Sequence, residues 1–479
     1  MPSAIDPANL DLSPDAIRSM TEAALSGVLA HLSSLDAQRA DGLPADPRWL
    51  AAEPIPEDAS ALEPILRDYF EHWVPQAFTA NGPGYLAYIP GGGTFPAALA
   101  DFLSNTTNRY TGVRFTAPAL VQREANALDW LRAWMEMPET TRGLFTSGGS
   151  MATFNGILCA RERLLGAEIR PGVLYTSTQA HHSVQKSARL AGIMPDRIRA
   201  LPVDGAFRLR LDALEEAIAR DRSEGLRPFL VVSSAGTTNT GAVDPLGAIA
   251  DLAAREGLWH HVDGAYGAFF HVCPELRPLL AGIARADSLT LDPHKGLFLP
   301  YGTGALLVRD GAALRAVHAA SADYLPAHED EAYDPSAYGP ELSRGFPGLR
   351  VWLTVKLFGA ARLRAAIAEK RALAVSAAER IAALPGVVMV APPQLSLFAF
   401  RLAWRGASPE EEDAATRELL ARVVARGRVL LTGCTTGGRF LARVCVMSFR
   451  TRAARVDACV EDVAAAAREV LRSRGDQPV

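Results

Sequence analysis

Between roughly residues 95 and 310, short apolar runs alternate with helical stretches, and this rhythm limits the fold more than any other feature of the chain. The runs are Val173–Thr176, Phe229–Ser233, Trp259–Val262, Ser288–Leu291 and Gly304–Val308. Helical patterns such as Ala117–Glu136 and Met151–Leu165 interleave with them. A strand that is apolar along its whole length must be covered on both faces. The pattern therefore predicts a mostly parallel α/β sheet with helices on either side. Ligands of such sheets bind just beyond the strand ends, so the loops after these runs are where chemistry is expected.

The flanking segments have a different texture. Residues 1–90 look helical with Pro-rich breaks, and Ser13-Pro14 reads as a helix cap followed by the first helical position. Gly42–Pro47 and Pro54-Ile55-Pro56 read as linkers. After residue 345 a long helical pattern, Leu349–Leu384, leads into strand-like runs at Val387–Val390, Ser396–Leu402 and Val444–Phe449. The pattern Val456–Arg474 closes the chain as a helix. The expected partition is a helical segment 1–90, a large α/β unit 91–365 and a small α+β unit 366–479. Residues 320–347 are a long irregular insert, expected to be mobile and open to cleavage, for example at Arg344.

Composition narrows the function. An apolar content of 49% over 479 residues marks a globular chain. A net charge of -4 gives no electrostatic case for nucleic acid. The five cysteines, Cys159, Cys273, Cys434, Cys445 and Cys459, are scattered and contain no CxxC pair. They argue against a disulfide framework or a metal site and for a reducing cytoplasm. No signal peptide and no run long enough to span a membrane is read.

The chemistry-bearing residues follow the strands. Lys295, in Asp292-Pro293-His294-Lys295, and Asp263, in His261-Val262-Asp263-Gly264-Ala265-Tyr266, fall at one expected sheet edge. An amine that condenses with an aldehyde, beside an acid that holds a ring nitrogen protonated, suits pyridoxal phosphate (PLP). Most lysines are surface residues, but this chain has four, and Lys295 follows an apolar run. Ser147-Gly148-Gly149-Ser150 precedes a helix, where free N–H groups can take a phosphate or simply form a capped turn. His181 is a ring-stacking residue or an ordinary loop histidine. Thr237 is a cofactor contact or a turn residue. Tyr333 and Tyr338, in the insert, are loop proton donors or packing residues. Cys434 would serve a cysteine desulfurase, a reading the other motifs do not match. A member that has lost activity would not be expected to keep Lys295, Asp263 and His181.

The order Thr-Ser-Gly-Gly-Ser, Gln-Ala-His, Gly-Thr-Thr, His-Val-Asp-Gly-Ala-Tyr, Asp-Pro-His-Lys resembles the group II PLP-dependent decarboxylases. These are the aromatic L-amino acid, glutamate, histidine and diaminobutyrate decarboxylases. Asn81–Pro90, Leu128–Leu131 and Gly348–Trp352 match as well. The resemblance implies a fold-type I PLP-dependent transferase fold, with a large, mostly parallel seven-stranded sheet domain and a small α+β domain. It implies α-decarboxylation of an L-amino acid to an amine, or, as in some members, oxidative conversion to an aldehyde. Lys295 would be the cofactor-linking lysine and Asp263 the partner of the pyridine nitrogen. Ala265 and His181 would lie against the ring faces. Ser147, Gly148, Gly149 and Ser150 would hold the phosphate, with His294 and Thr237 near the cofactor. Tyr333, or Tyr338, would deliver a proton from a mobile loop. A homodimer is implied, with the N-terminal helices packed on the partner and Tyr88 and Pro90 reaching a substrate pocket. Ile89, Gly91 and Arg114 depart from the aromatic-specific pattern, and Arg114 is a candidate clamp for a substrate carboxylate.

Overall fold

The computed structural model describes residues 9–319 and 332–474. Seven strands build the central sheet: β1 (Arg142–Thr146), β2 (Gly172–Ser177), β3 (Ile198–Leu201), β4 (Arg227–Ser234), β5 (Trp259–Asp263), β6 (Ser288–Leu291) and β7 (Gly304–Val308). Their order is β1-β7-β6-β5-β4-β2-β3. All pairings are parallel except those of β7, which runs antiparallel to both β1 and β6. The apolar runs read from the sequence coincide with β2, β4, β5, β6 and β7 to within two residues.

Both faces of this sheet are buried. Along β7, Ala305 and Leu307 enter one cluster with Phe269, Leu289 and Val351, while Leu306 and Val308 enter another with Ile157, Leu174 and Leu314. The period-two alternation of a strand thus feeds two separate cores, which is why these strands read as unbroken apolar runs. The helix Gly149–Leu164 lies on one face, burying Ala152, Ile157, Cys159 and Ala160. The helix Leu246–Glu256 lies before β5 and ends at Gly257, whose φ of +65° sets the turn into the strand.

A second sheet has order β10-β11-β9-β8, formed by β8 (Val387–Ala391), β9 (Leu397–Leu402), β10 (Thr432–Thr436) and β11 (Arg439–Cys445), all antiparallel. This corrects the expected strand Val444–Phe449. The strand is Arg439–Cys445, and the Val446 N–H adds a last bond in the same register, to the Ser396 carbonyl at 2.8 Å. The helix Pro347–Ala382 joins the two sheets and kinks at Gly359, where φ is +74°.

The N-terminal helix Pro14–Ser34 is capped as its sequence predicts, Ser13 Oγ accepting from the Ala16 N–H at 3.2 Å. It buries none of its residues. The first part of the expected mobile insert, residues 320–331, lies outside the described residues. The part that is described contradicts the expected cleavage at Arg344. The Arg344 guanidinium is 7% exposed and paired with Glu124, itself 1% exposed.

Candidate active site

The strand ends place the chemistry. β5 ends at Asp263, and β6 runs into a single helical turn, Pro293–Gly296, that carries Lys295. β1 leads through Thr146 and Ser147 into the helix Gly149–Leu164. These loops converge on a cavity of about 350 Å³ lined by Ser147, Gly149, His181, Thr237, Asp263 and Lys295, among others. That volume lies in the ~300–1,000 Å³ range of small-molecule sites. The amine at 295 and the carboxyl at 263 therefore share one cavity, as do Gly148, Ser150, Ala265 and His294.

The geometry suits a phosphate-bearing ring. A helix N-terminus presents unpaired N–H groups and a positive dipole end, and here it faces the cavity at Gly149-Ser150. A side chain at Gly149 would fill the cradle, its Cβ falling 3.0 Å from both the Ala265 Cβ and an Asp292 oxygen. Asp263 accepts from the Ala265 N–H at 3.2 Å. Burial raises its pKa, and the Lys295 charge opposes this. Such a carboxyl, enclosed except toward the cavity, is well placed to share a proton with a ring nitrogen. These residues fit PLP.

The His181 Nδ1 accepts from the Ser183 N–H at 3.3 Å, so the neutral ring carries its hydrogen on Nε2. Burial, with the charges of His182 and Lys295, lowers its pKa to about 4. The Thr237 hydroxyl meets that of Thr240 at 2.9 Å. Burial likewise lowers the pKa of His294, whose Nδ1 accepts from the Thr303 N–H at 3.2 Å.

Other expected residues lie elsewhere. Tyr333 and Arg114 line a separate cavity beside Gln122 and Arg132. The Tyr333 hydroxyl donates to Glu124 at 3.3 Å, and its ring stacks on Tyr338 with centroids 5.5 Å apart. Neither tyrosine is in the wall of the Lys295 cavity formed by this one chain, and Arg114 donates to Gln122 at 3.1 Å. Tyr88 and Pro90 are not in the cavity wall. Their segment instead passes behind the lysine turn, where a Cβ on Gly91 would lie 2.5 Å from the His294 carbonyl oxygen. A side chain at 91 would therefore crowd this carbonyl. Cys434, on β10, points its Sγ at the Asn239 carbonyl 3.8 Å away and has no place in the cavity.

Two site-shaping residues were missed. Asp292 Oδ2 lies 2.8 Å from Lys295 Nζ. Its position three residues before the lysine, on one helical turn, was a usable signal. Arg443, on β11, donates to the carbonyls of Thr238, Asn239 and Tyr88 and so fixes the Thr237 loop to the small sheet. Nothing local in the sequence pointed to it.

Comparison with known proteins identifies the family. The chain is 32% identical to an aromatic-L-amino-acid decarboxylase of Bacillus atrophaeus over 96% of this chain and 98% of that one. It is 28% identical to a phenylacetaldehyde synthase of Arabidopsis thaliana over 83% and 84% of the two chains. The crystal structure of Oryza sativa TDC with PLP and tryptamine superposes with a TM-score of 0.91 at 27% identity, covering 96% of this chain and 99% of that one. The model of the pyridoxal-dependent decarboxylase conserved domain matches residues 44–403, and the chain belongs to the pyridoxal-dependent decarboxylase family.

Proposed function

We propose that Lys295, Asp263 and His181 carry out the α-decarboxylation of an aromatic L-amino acid by this PLP-dependent decarboxylase. One observation carries the assignment of roles: Lys295 and Asp263 open onto a single cavity whose far wall is the N-terminus of the helix Gly149–Leu164.

When bound, PLP supplies a ring that accepts the electron pair left at the α-carbon as carbon dioxide departs. The protein's part is to hold, orient and return a proton to that carbon. Ser147, Ser150 and the first N–H groups of the helix would bind the phosphate. Lys295 would hold the cofactor covalently and release it to the substrate amine. Asp263 would keep the ring nitrogen protonated. Ala265 and His181 would pack against the ring, with the His181 Nε2–H orienting the substrate carboxylate. Thr237 and His294 would complete the cofactor's surroundings, and Tyr333 is the proposed proton donor.

The aromatic assignment rests on the relatives. Oxidative conversion to an aldehyde is the second reading. It is favoured by the Tyr333 hydroxyl resting on Glu124 instead of in the Lys295 cavity. Amine, carbon dioxide, aldehyde and peroxide release should be measured over the standard amino acids, ornithine, diaminobutyrate and dihydroxyphenylalanine. Equal amounts of amine and carbon dioxide from aromatic substrates are expected. Release from acidic or basic amino acids alone would overturn the substrate, and aldehyde with peroxide would establish the second reading. Lys295→Ala is expected to abolish turnover and the visible absorbance of the covalent link; retained turnover would refute the role of Lys295.

We infer a homodimer, a reading the exposed apolar residues support. Ile17, Met20, Leu25 and Leu29 on the N-terminal helix are each at least 42% exposed, and Phe102 and Phe115 are 51% and 74% exposed. Exposed apolar residues of this kind are covered by a second copy in our reading, and sedimentation tests it. We divide the chain at residues 90 and 365, the second boundary falling just after the Gly359 kink. The five free cysteines support a cytoplasmic location. No helix among the described residues is long and apolar enough to cross a membrane.

A further inference from the structure

Beneath the helix Gly149–Leu164, whose N-terminus forms the phosphate cradle, runs a polar ladder that the reading above leaves without a task. His261 lies on β5 two residues before Asp263, so the two side chains leave the same face of the sheet. Ser288 and Thr290, on β6, are the register neighbours of His261 and Asp263. His261, Ser288, Thr290 and Thr153 of the helix are all fully buried.

The hydrogens of this ladder take one consistent order. The indole N–H of Trp259 donates to Ser288 Oγ at 2.8 Å. The Ser288 hydrogen then goes to His261 Nδ1, 2.7 Å away. Burial lowers the His261 pKa to about 3, so the ring is neutral and carries its one hydrogen on Nε2. That N–H donates to Thr290 Oγ1 at 3.1 Å, and the Thr290 hydroxyl meets that of Thr153 at 3.2 Å.

The helix is pressed onto the same ladder at a second point. A Cβ on Gly156 would fall 2.7 Å from His261 Nδ1 and 3.3 Å from Ser288 Oγ. Gly149, Thr153 and Gly156 lie on one stripe of the helix, at successive four- and three-residue steps. At the cradle end of that stripe, a Cβ on Gly149 would meet Ala265 and Asp292 at 3.0 Å. The depth of the helix on the sheet is therefore set by what lies beneath it. Depth matters because a phosphate and a pyridine nitrogen on one rigid ring keep a fixed separation. The helix carries the anchor for the first and β5 the anchor for the second, so small errors in their spacing weaken both.

We propose that His261 is a positioning residue for the cofactor: through Thr290 and Thr153 it holds the helix N-terminus at the distance from Asp263 that a phosphate-bearing ring must span. His261 is not in the cavity wall, and no bond is made or broken at it. The inference rests on the cofactor-site assignment above.

Pyridoxal and pyridoxal 5′-phosphate separate this role from a merely structural one. Pyridoxal can engage Lys295 and Asp263 but has no phosphate to place. Both should be titrated into cofactor-free protein and followed by visible absorbance. His261→Asn keeps a polar atom near Nδ1 and loses the donor to Thr290. It is expected to weaken binding of the phosphate form about tenfold and to change pyridoxal binding much less, so the preference between the two falls about tenfold. Thr153→Val removes the same link from the helix side with a side chain of the same shape. It should lower the preference as well, and it keeps the question decidable if His261→Asn does not fold. Ser233→Ala is the control, because Ser233 Oγ lies 2.7 Å from His260 Nε2 in a buried pair on the other face of the sheet. Its loss should cost stability and leave the preference unchanged. If His261→Asn or Thr153→Val weakened both ligands equally or neither, or if Ser233→Ala lowered the preference as much, the ladder would be structural only and the proposal overturned. A wild type that develops no visible absorbance with either ligand would instead overturn the cofactor-site assignment.

Discussion

Gly91→Ala tests how the lysine turn is held in place. The added methyl would lie 2.5 Å from the His294 carbonyl oxygen, against ordinary contacts that begin at 3.4 Å. The two segments must therefore part by about 1 Å. Neither side yields easily, because both atoms in conflict belong to anchored backbone. Arg450 grips the Asn81 and Gly92 carbonyls at 3.0 and 2.8 Å, and the Thr94 N–H bonds the Phe298 carbonyl at 2.9 Å. Forcing extra volume into such a contact costs about 1–3 kcal/mol. The displaced carbonyl precedes Lys295, so cofactor affinity should fall along with stability. The assay is a denaturant midpoint for the cofactor-free protein and a cofactor titration for each variant. Gly345→Ala is the control, since a Cβ there meets nothing within 4 Å, and its cost should stay within about 0.5 kcal/mol. If Gly91→Ala matched Gly345→Ala in both measurements, the close-approach argument would be wrong.

Two further outcomes are expected. Glu124→Gln leaves the buried Arg344 guanidinium without its counter-charge and should cost about 3–5 kcal/mol by urea denaturation. It should also open the 332–347 segment to trypsin, and unchanged stability would refute the buried pair. The His181 pKa is lowered from 6.5 to about 4, so between those values the unfolded chain binds a proton that the folded chain does not. Stability should therefore fall as pH drops through that window. The loss between pH 7 and 5 should be smaller in His181→Asn, and an equal loss in the two proteins would contradict a neutral buried ring.

Legibility of the fold followed burial. β5, β6 and β7 are buried almost throughout and were readable from the sequence. β10, Thr-Gly-Cys-Thr-Thr, is a polar edge strand, and β1 and β3 are the edges of the large sheet and each carries an arginine, so their sequences carry little of the signal. The strand expected at Val444–Phe449 lies earlier, at Arg439–Cys445, where Arg439 and Arg443 interrupt the apolar pattern. The site divided in a similar way. Lys295, Asp263, His181 and the Ser147–Ser150 turn were identified because each follows a strand in a recognisable short motif. The surroundings of Tyr333 and Arg114 were not readable, because side-chain direction in an irregular segment depends on distant partners, here Glu124 and Gln122.

What the sequence by itself determined is the α/β rhythm, the family motifs and the residues at the strand ends, since these depend on neighbours within a few positions. The tertiary structure alone decided which of those residues share a cavity, why position 91 must be glycine, and that an acid at 292 pairs with Lys295 beside the phosphate cradle. The physical reason is range. Periodicity and turn chemistry are local, whereas exclusion by a carbonyl about two hundred residues away and the field of a buried charge depend on the whole packed chain.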